Sequence, residues 1–214
     1  MDKYAVIAVE SGSYTTRSGE EVNFTKMHYF NLKDKYNSSS QKGFVLLTND
    51  IYPNFSMSDF SAVPGIYNLG FRPFRNRQGK MSPRLVSLDF VSPLSIKENK
   101  DLFLLLGAKK YNFEAEKGKT IKGIKIFAID PLSQDNSDDY LGLQIVEGSL
   151  NHSKIDSFSQ TPAYYDLQLK EIRGRNGVSV YKPIDAIFKD SYSFSNSSTS
   201  SSIPSSSVTA TSPK

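Results

Sequence analysis

The chain has 214 residues, with 26 Lys and Arg against 22 Asp and Glu, and a formal net charge of +4. It contains no cysteine, which excludes disulfides, thiolate zinc sites and a thiol nucleophile, and its two histidines are too few for most histidine-rich metal sites. No apolar stretch reaches the length of a membrane span and the first residues carry no signal-peptide pattern, so we expect a soluble, cytoplasmic protein.

Short alternating runs rich in Tyr and Phe predict an all-β protein, because aromatic residues and two-residue alternation favour strands. Only two stretches, 51–60 and 97–106, are compatible with helices. From residue 191 onward, 12 of 24 residues are serine. Such a segment cannot bury enough apolar surface to fold, so we expect a disordered tail over 191–214.

An internal repeat divides the rest of the chain. With an offset of 98, residues 64–90 match residues 162–188 at seven of 27 positions, which are Pro64/Pro162, Tyr67/Tyr165, Leu69/Leu167, Arg75/Arg173, Arg77/Arg175, Gly79/Gly177 and Phe90/Phe188. A weaker match with an offset of 99 links the region from residue 14 to the region from residue 113. Each copy alternates apolar residues around an R-x-R-x-G turn, which is typical of a β-hairpin. We therefore predict two β-rich units, 4–93 and 104–189.

Three ordered motifs distinguish the first unit. They are Tyr14-Thr15-Thr16-Arg17-Ser18-Gly19, then Tyr29-Phe30-Asn31-Leu32, then Pro64-Gly65-Ile66-Tyr67 followed by a basic hairpin. Over residues 6–93 this set resembles the filamentous-phage gene V type single-stranded DNA-binding proteins. The loop after Gly19 is shorter than the DNA-binding hairpin of that family, and the two arginines of its last strand fall near Leu88 and Phe90 here.

The resemblance implies a fold and a function. The fold would be two tandem OB-like small barrels, the second copy degenerate, followed by the tail. The function would be non-sequence-specific binding of single-stranded DNA, which protects intermediates in the replication or transfer of a phage, plasmid or conjugative element.

Candidate binding residues follow from that function, because single-strand binding needs a basic groove for phosphates and aromatic faces for bases. The stretch 60–88 contains five bases and no acid. By the resemblance, Arg17 is a DNA-contacting arginine, and Phe24, Tyr29 and Phe44 are apolar or stacking positions. The predicted set is Arg17, Phe24, Lys26, Tyr29, Phe44, Arg72, Phe74, Arg75, Arg77, Lys80, Arg84, Arg173 and Arg175.

Several of these residues also have a structural interpretation. Phe24 and Tyr29 fit a core position as well as a binding one, and the run that begins at Phe44 favours the core. Arg75 and Arg77 fit a charged sheet edge that prevents aggregation.

The second unit has Glu114-Ala115-Glu116 where the first has Thr15-Thr16-Arg17, and carboxylates repel phosphate. We therefore expect the first unit to bind DNA and the second mainly to pack against it. The pair would imitate within one chain the dimer that the family forms from two, and self-association of the chain stays open.

Enzyme motifs are missing from the sequence, which has no Walker loop, G-x-S-x-G, H-E-x-x-H or metal-ligand spacing of acids. We expect no enzymatic activity, catalytic residue, cofactor, metal or membrane contact. The expected partner is single-stranded DNA, with RNA as the alternative. Two other functions stay open, a structural or protein-interaction module of a mobile element and an RNA-binding translational repressor.

Overall fold

The computed structural model describes residues 2–75, 79, 81–115, 118, 120–173 and 179–194, with side chains from 181 in the last range. The predicted tail lies outside the described residues from 195 onward. So do three predicted binding residues, Arg77, Lys80 and Arg175.

Both halves of the chain have the same order of elements. The first half forms β1 (Lys3–Thr15), β2 (Glu21–Asn31), β3 (Tyr36–Asn37), β4 (Gln41–Gly43), β5 (Leu47–Asp50), β6 (Gly65–Arg75) and β7 (Met81–Pro93). The second half forms β8 (Phe103–Glu114), β9 (Thr120–Ile129), β10 (Asp135–Asn136), β11 (Tyr140–Gly142), β12 (Ile145–Leu150), β13 (Ala163–Arg173) and β14 (Ser179–Ser191). Short 3-10 helices lie at Met57–Asp59 and His152–Phe158.

The strands pair antiparallel in two sheets of seven strands each, which confirms the all-β prediction. Sheet 1 contains the path β5-β2-β1-β6-β7, with β11 and β10 added at β1. Sheet 2 contains the path β12-β9-β8-β13-β14, with β4 and β3 added at β8. Among the described strands, the hydrogen-bonded ladders leave both sheets open and form no closed barrel.

Each half of the chain places a small hairpin in the sheet of the other half. The hairpin β3–β4 pairs with β8, where Gly43 lies opposite Gly107. The hairpin β10–β11 pairs with β1, where Gly142 lies opposite Ala8. The residue after each of these glycines makes an equivalent backbone hydrogen bond. The N–H of Phe44 donates to the carbonyl of Leu106, and the N–H of Leu143 donates to the carbonyl of Ile7. The exchange is therefore reciprocal, with a constant offset of 99 residues.

Three hydrophobic cores result from this arrangement. In β1, Ala5 and Ile7 face a central core between the sheets, whereas Val6 and Val9 face a first core inside sheet 1. In β8, Leu104 and Leu106 face the central core, and Leu105 and Ala108 face a second core inside sheet 2. Both strands are thus buried on both faces at their starts, and the central core joins the two halves into one unit.

The run Leu104–Leu106 also explains why the helix expected at 97–106 is wrong. A continuous apolar run fits a buried helix and a strand with two buried faces equally well, and this one lies at the start of β8. The helix expected near 51–60 is reduced to the single 3-10 turn Met57–Asp59.

Matching irregularities support the internal repeat. The register shifts between Val6 and Ala8 in β1, and between Leu105 and Gly107 in β8. The identical tyrosines Tyr67 and Tyr165 are fully buried, and each donates its hydroxyl to a backbone carbonyl, of Ala62 at 2.7 Å and Ser157 at 3.1 Å.

The described chain continues past the predicted tail boundary at 191. The Phe194 ring packs on Phe30 and Phe44, with centroid distances of 5.3 and 5.7 Å. The Tyr192 hydroxyl donates to the carbonyl of Ser95. Residues 192–194 therefore belong to the folded unit and cover one side of the central core.

Candidate nucleic-acid interface

Two hairpins of sheet 1 extend beyond its core as two-stranded arms. The β1–β2 arm, residues 10–26, begins where the buried residues of β1 end at Val9. The β6–β7 arm, described over residues 70–75 and 81–84, begins after Leu69 and returns to the core at Leu85. An arm with few buried side chains presents most of its residues to solvent, and both arms carry predicted binding residues.

The β6–β7 arm carries a stacked ring and guanidinium. The Arg84 guanidinium carbon lies 3.9 Å from the centroid of the Phe74 ring, and Phe74 is 42% exposed. Arg72 lies directly opposite Arg84 in the register, and Arg75 is exposed at the end of β6. Two arginines facing each other across a hairpin repel, and an anion between them relieves that repulsion.

The sequence of this arm contains no acid, and the nearest acids on either side are Asp59 and Asp89. Within the described part of the chain, no carboxylate forms an ion pair with Arg72, Arg75 or Arg84. Their charges are therefore available to an external anion.

The β1–β2 arm carries a second group of aromatic and basic residues. Phe24 lies across Gly12 of the paired strand and 6.4 Å from the Tyr14 ring, and Tyr14 is 56% exposed. The Lys26 ammonium lies 4.3 Å from the Phe24 centroid and 3.3 Å from the Glu10 carboxylate. Arg17 is exposed in the turn between the strands. The arm thus offers rings and one terminal arginine, while Lys26 is partly neutralised.

Beside the β1–β2 arm, the surface of β2 and β5 is polar and borders Tyr140 and Glu147 of the second half. His28 lies 3.6 Å from Glu10, and its Nδ1 is 3.1 Å from the Thr48 hydroxyl. Burial lowers the pKa of His28, against the opposing effect of Glu10, so the ring is neutral at pH 7. The histidine therefore adds hydrogen-bonding capacity to this surface without adding charge.

Two predicted stacking residues are buried, which corrects their expected orientation. Tyr29 is 4% exposed and lies in the first core against Tyr4 and Phe71. Phe44 is 5% exposed and lies in the central core against Phe30. A ring covered on both faces cannot stack on a base, so neither belongs to the solvent-facing set.

The remaining predicted residues divide between the sheets. Arg173 is exposed at the end of β13 in sheet 2, on the hairpin equivalent to the β6–β7 arm. The structure thus brings Arg72, Phe74, Arg75 and Arg84 together on one arm, places Phe24, Lys26 and Arg17 on another, and puts Arg173 in the other sheet.

Sequence reasoning missed Tyr14 as a binding candidate. Tyr14 is the first residue of the Tyr14–Gly19 motif, but the signal that marks it as a binding candidate is different. Gly12 and Tyr14 alternate on one strand, and Phe24 lies opposite Gly12. Small and aromatic residues in alternation on a hairpin favour a ring that lies over the glycine.

Comparisons with known proteins give no match, whether with protein-family models, with curated proteins or with solved structures. In the described ranges, no helix is long and apolar enough to cross a membrane. Across the same residues, no group of three or more His, Asp or Glu side chains is placed to hold a metal ion.

Proposed function

We propose that the chain binds single-stranded DNA without sequence preference, through the two arms of sheet 1 and the β2–β5 surface beside the β1–β2 arm. The observation that carries the proposal is the β6–β7 arm, where Arg84 stacks on Phe74 and lies opposite Arg72, and no carboxylate in the described part of the chain pairs with either arginine. Such a combination of exposed ring and unpaired arginines suits stacked bases and the phosphates beside them.

The strand order of sheet 1 supports an OB-like topology for this unit. The two ends of the path β5-β2-β1-β6-β7 lie close together. The side chain of Asn49 on β5 donates to the carbonyl of Pro83 on β7 at 3.1 Å, and the side chain of Asn54, just after β5, donates to the carbonyl of Leu85. These side-chain bonds stand where a closed barrel has a backbone ladder. The five strands with a short helix between β5 and β6 correspond to a partly open five-stranded barrel.

That topology also agrees with the position of the basic residues. OB folds bind oligonucleotides on the face of their second and third strands and with the loops between strands one and two and strands four and five. In this chain those strands are β2 and β5, and the loops are the tips of the two arms, next to Arg17 and Arg75. The biological setting that we propose is protection of single-stranded intermediates during replication or transfer of a phage, plasmid or conjugative element.

The test is a titration of the full chain with labelled dT and rU oligonucleotides at two salt concentrations. The Arg72→Gln/Arg75→Gln double variant should bind dT more weakly, and its salt slope should fall by roughly 0.7 for each lost phosphate contact. Lys35→Gln/Lys100→Gln is the matched control, since it removes the same charge from exposed residues outside the arms. Absence of dT binding at low salt, or equal losses in both variants, would contradict the proposal. Tighter binding of rU than of dT would favour RNA as the ligand.

A further inference from the structure

Sheet 2 contains an arm that is the structural equivalent of the β1–β2 arm. This β8–β9 arm, described over residues 109–115 and 120–125, has the same ring-over-glycine arrangement with the strands reversed. In sheet 1 the ring of Phe24 on β2 lies across Gly12 of β1, whereas in sheet 2 the ring of Tyr111 on β8 lies across Gly123 of β9. The sequence comparison aligned the two arms but did not assign a role to either ring of the second.

Two rings of this arm, a half-buried tyrosine and an exposed phenylalanine, form a stacked pair. The centroids of Tyr111 and Phe113 are 5.9 Å apart with an angle of 29° between the ring planes. Phe113 is 53% exposed and lies opposite Ile121, near the end of the arm. A nearly parallel ring pair with one open end is a surface on which a further flat ring can stack.

The charge beside these rings is more favourable for phosphate than in sheet 1. At the equivalent register position, sheet 1 has Glu10 opposite Lys26, whereas sheet 2 has Lys109 opposite Lys125. Lys125 is held 2.7 Å from Glu147, and no carboxylate in the described part of the chain forms an ion pair with Lys109. Two lysines directly opposite each other repel, and a bound phosphate offsets that repulsion.

Of the two glutamates that led us to expect repulsion, Glu114 lies on the other face and Glu116 lies outside the described residues. Successive side chains of a strand point to opposite faces, so Lys109, Tyr111 and Phe113 share one face and Glu114 lies on the other, opposite Thr120. Over the described residues, the ring face of the arm is therefore aromatic and basic.

We propose that the Tyr111–Phe113 face of the β8–β9 arm, with Lys109, is a second binding surface for single-stranded nucleic acid. This inference rests on the proposed function of sheet 1, and it goes beyond the expectation that the second unit mainly packs against the first. The chain would then hold two separate short segments of single strand, one on each sheet.

The test measures how many short oligonucleotides one chain binds. The full chain is titrated with dT of about 8 nucleotides, within the range that one OB-like surface covers. The wild type should bind two per chain, and Tyr111→Leu/Phe113→Leu should bind one, because leucine keeps apolar cover over Gly123 but offers no ring face. With dT of about 30 nucleotides, the same variant should bind roughly 5- to 150-fold more weakly. Phe188→Leu, at a ring 41% exposed on β14, is the matched control and should leave the stoichiometry at two.

Lys109→Gln gives a second test that leaves the rings in place. It should reduce the salt slope for the longer oligonucleotide by roughly 0.7, with an unchanged melting temperature. One dT per wild-type chain, with neither variant affected, would overturn the second surface and leave the proposed function intact. No dT binding by the wild type at low salt would overturn both.

Discussion

Tyr29 illustrates at the scale of single residues why a binding motif does not define a binding face. It lies on β2 between Lys26 and the end of the strand, but its ring packs against Tyr4 and Phe71 with centroid distances of 5.7 and 5.6 Å. Burial raises the pKa of its hydroxyl to about 12, with a smaller contribution from Tyr4. The side chain therefore supports the strand from inside instead of contacting a ligand.

This shift predicts a loss of stability at high pH. The folded pKa lies above the unfolded value of about 10, so the folded protein binds the phenolic proton more tightly. The stabilisation is complete below about pH 10 and is lost as pH rises towards 12, by up to about 1.4 kcal/mol per pH unit for each such tyrosine. Burial also raises the pKa of Tyr140, Tyr165 and Tyr192 to about 12.

Urea unfolding at several pH values between 8 and 11.5 measures the effect. The free energy of unfolding should fall above pH 10, and Tyr29→Phe should show a shallower decline than the wild type. A flat profile in the wild type, or the same decline in the variant, would argue against a buried neutral phenol at this position.

At the scale of elements, the exchanged hairpins depend on two glycines. Gly43 and Gly142 have φ values of +70° and +111°, a region that side chains with a Cβ rarely adopt. A Cβ at Gly43 would also collide with the carbonyl oxygen of Leu106, and one at Gly142 with that of Ile7. These are the points where the β4 and β11 strands meet the neighbouring sheet, so both the backbone conformation and the close approach require glycine.

A pair of alanine substitutions separates the two requirements. Gly19 has a similar φ of +84° but no heavy atom within 4 Å of its would-be Cβ. Gly19→Ala should therefore cost about 1–2 kcal/mol from backbone strain alone. Gly43→Ala should cost clearly more, since it adds a collision with backbone that cannot move without separating β4 from β8. Equal changes in the denaturation midpoint would show that the exchanged hairpin tolerates a displacement.

The sequence predicted the long hairpins better than the short ones. The β6–β7 and β13–β14 pairs follow from alternation and from a repeated turn motif, which are local signals. The β3–β4 and β10–β11 hairpins have strands of two or three residues in polar surroundings, so no periodicity marks them. Their partners are about 65 residues or more away, between Gly43 and Gly107 and between Ala8 and Gly142, and a single sequence contains no local signal for such pairing.

The candidate site was predictable in part for a similar reason. Arg72, Phe74, Arg75 and Arg84 lie on one hairpin, so a local acid-free stretch sufficed to group them. The burial of Tyr29 depends on which face of β2 meets the first core, and Phe44, just after β4, packs in a core that includes residues from the other half of the chain. The proposed binding face of the second half was likewise hidden, because its ring and glycine have exchanged strands relative to the first half.

At the scale of the whole molecule, the central core makes the two halves interdependent. Ile7 and Phe30 from the first half and Leu104, Leu106 and Ile129 from the second are all fully buried there. Each such side chain contributes roughly 1.5–3 kcal/mol through burial. Separation of the halves would expose this surface and leave β1 and β8 without their added strands.

A fragment of residues 1–102 tests this interdependence. It should not form a folded monomer. We expect it either to remain largely unfolded by circular dichroism or to form a dimer by light scattering, in which the β4 hairpin of one copy pairs with β1 of the other. A monomeric fragment with a cooperative thermal transition like that of the full chain would contradict a shared core.

The reciprocal exchange of hairpins has a consequence for how such a protein can vary. In an assembly of two identical chains, every substitution enters both faces at once, and a change that suits one position must be tolerated at its twin. In this chain the equivalent positions of the two halves are different residues of one sequence and can vary independently. The pair Glu10 and Lys26 in the first half therefore coexists with the pair Lys109 and Lys125 in the second. Joining the two halves in one chain keeps the architecture of a symmetric pair while allowing each half its own surface chemistry.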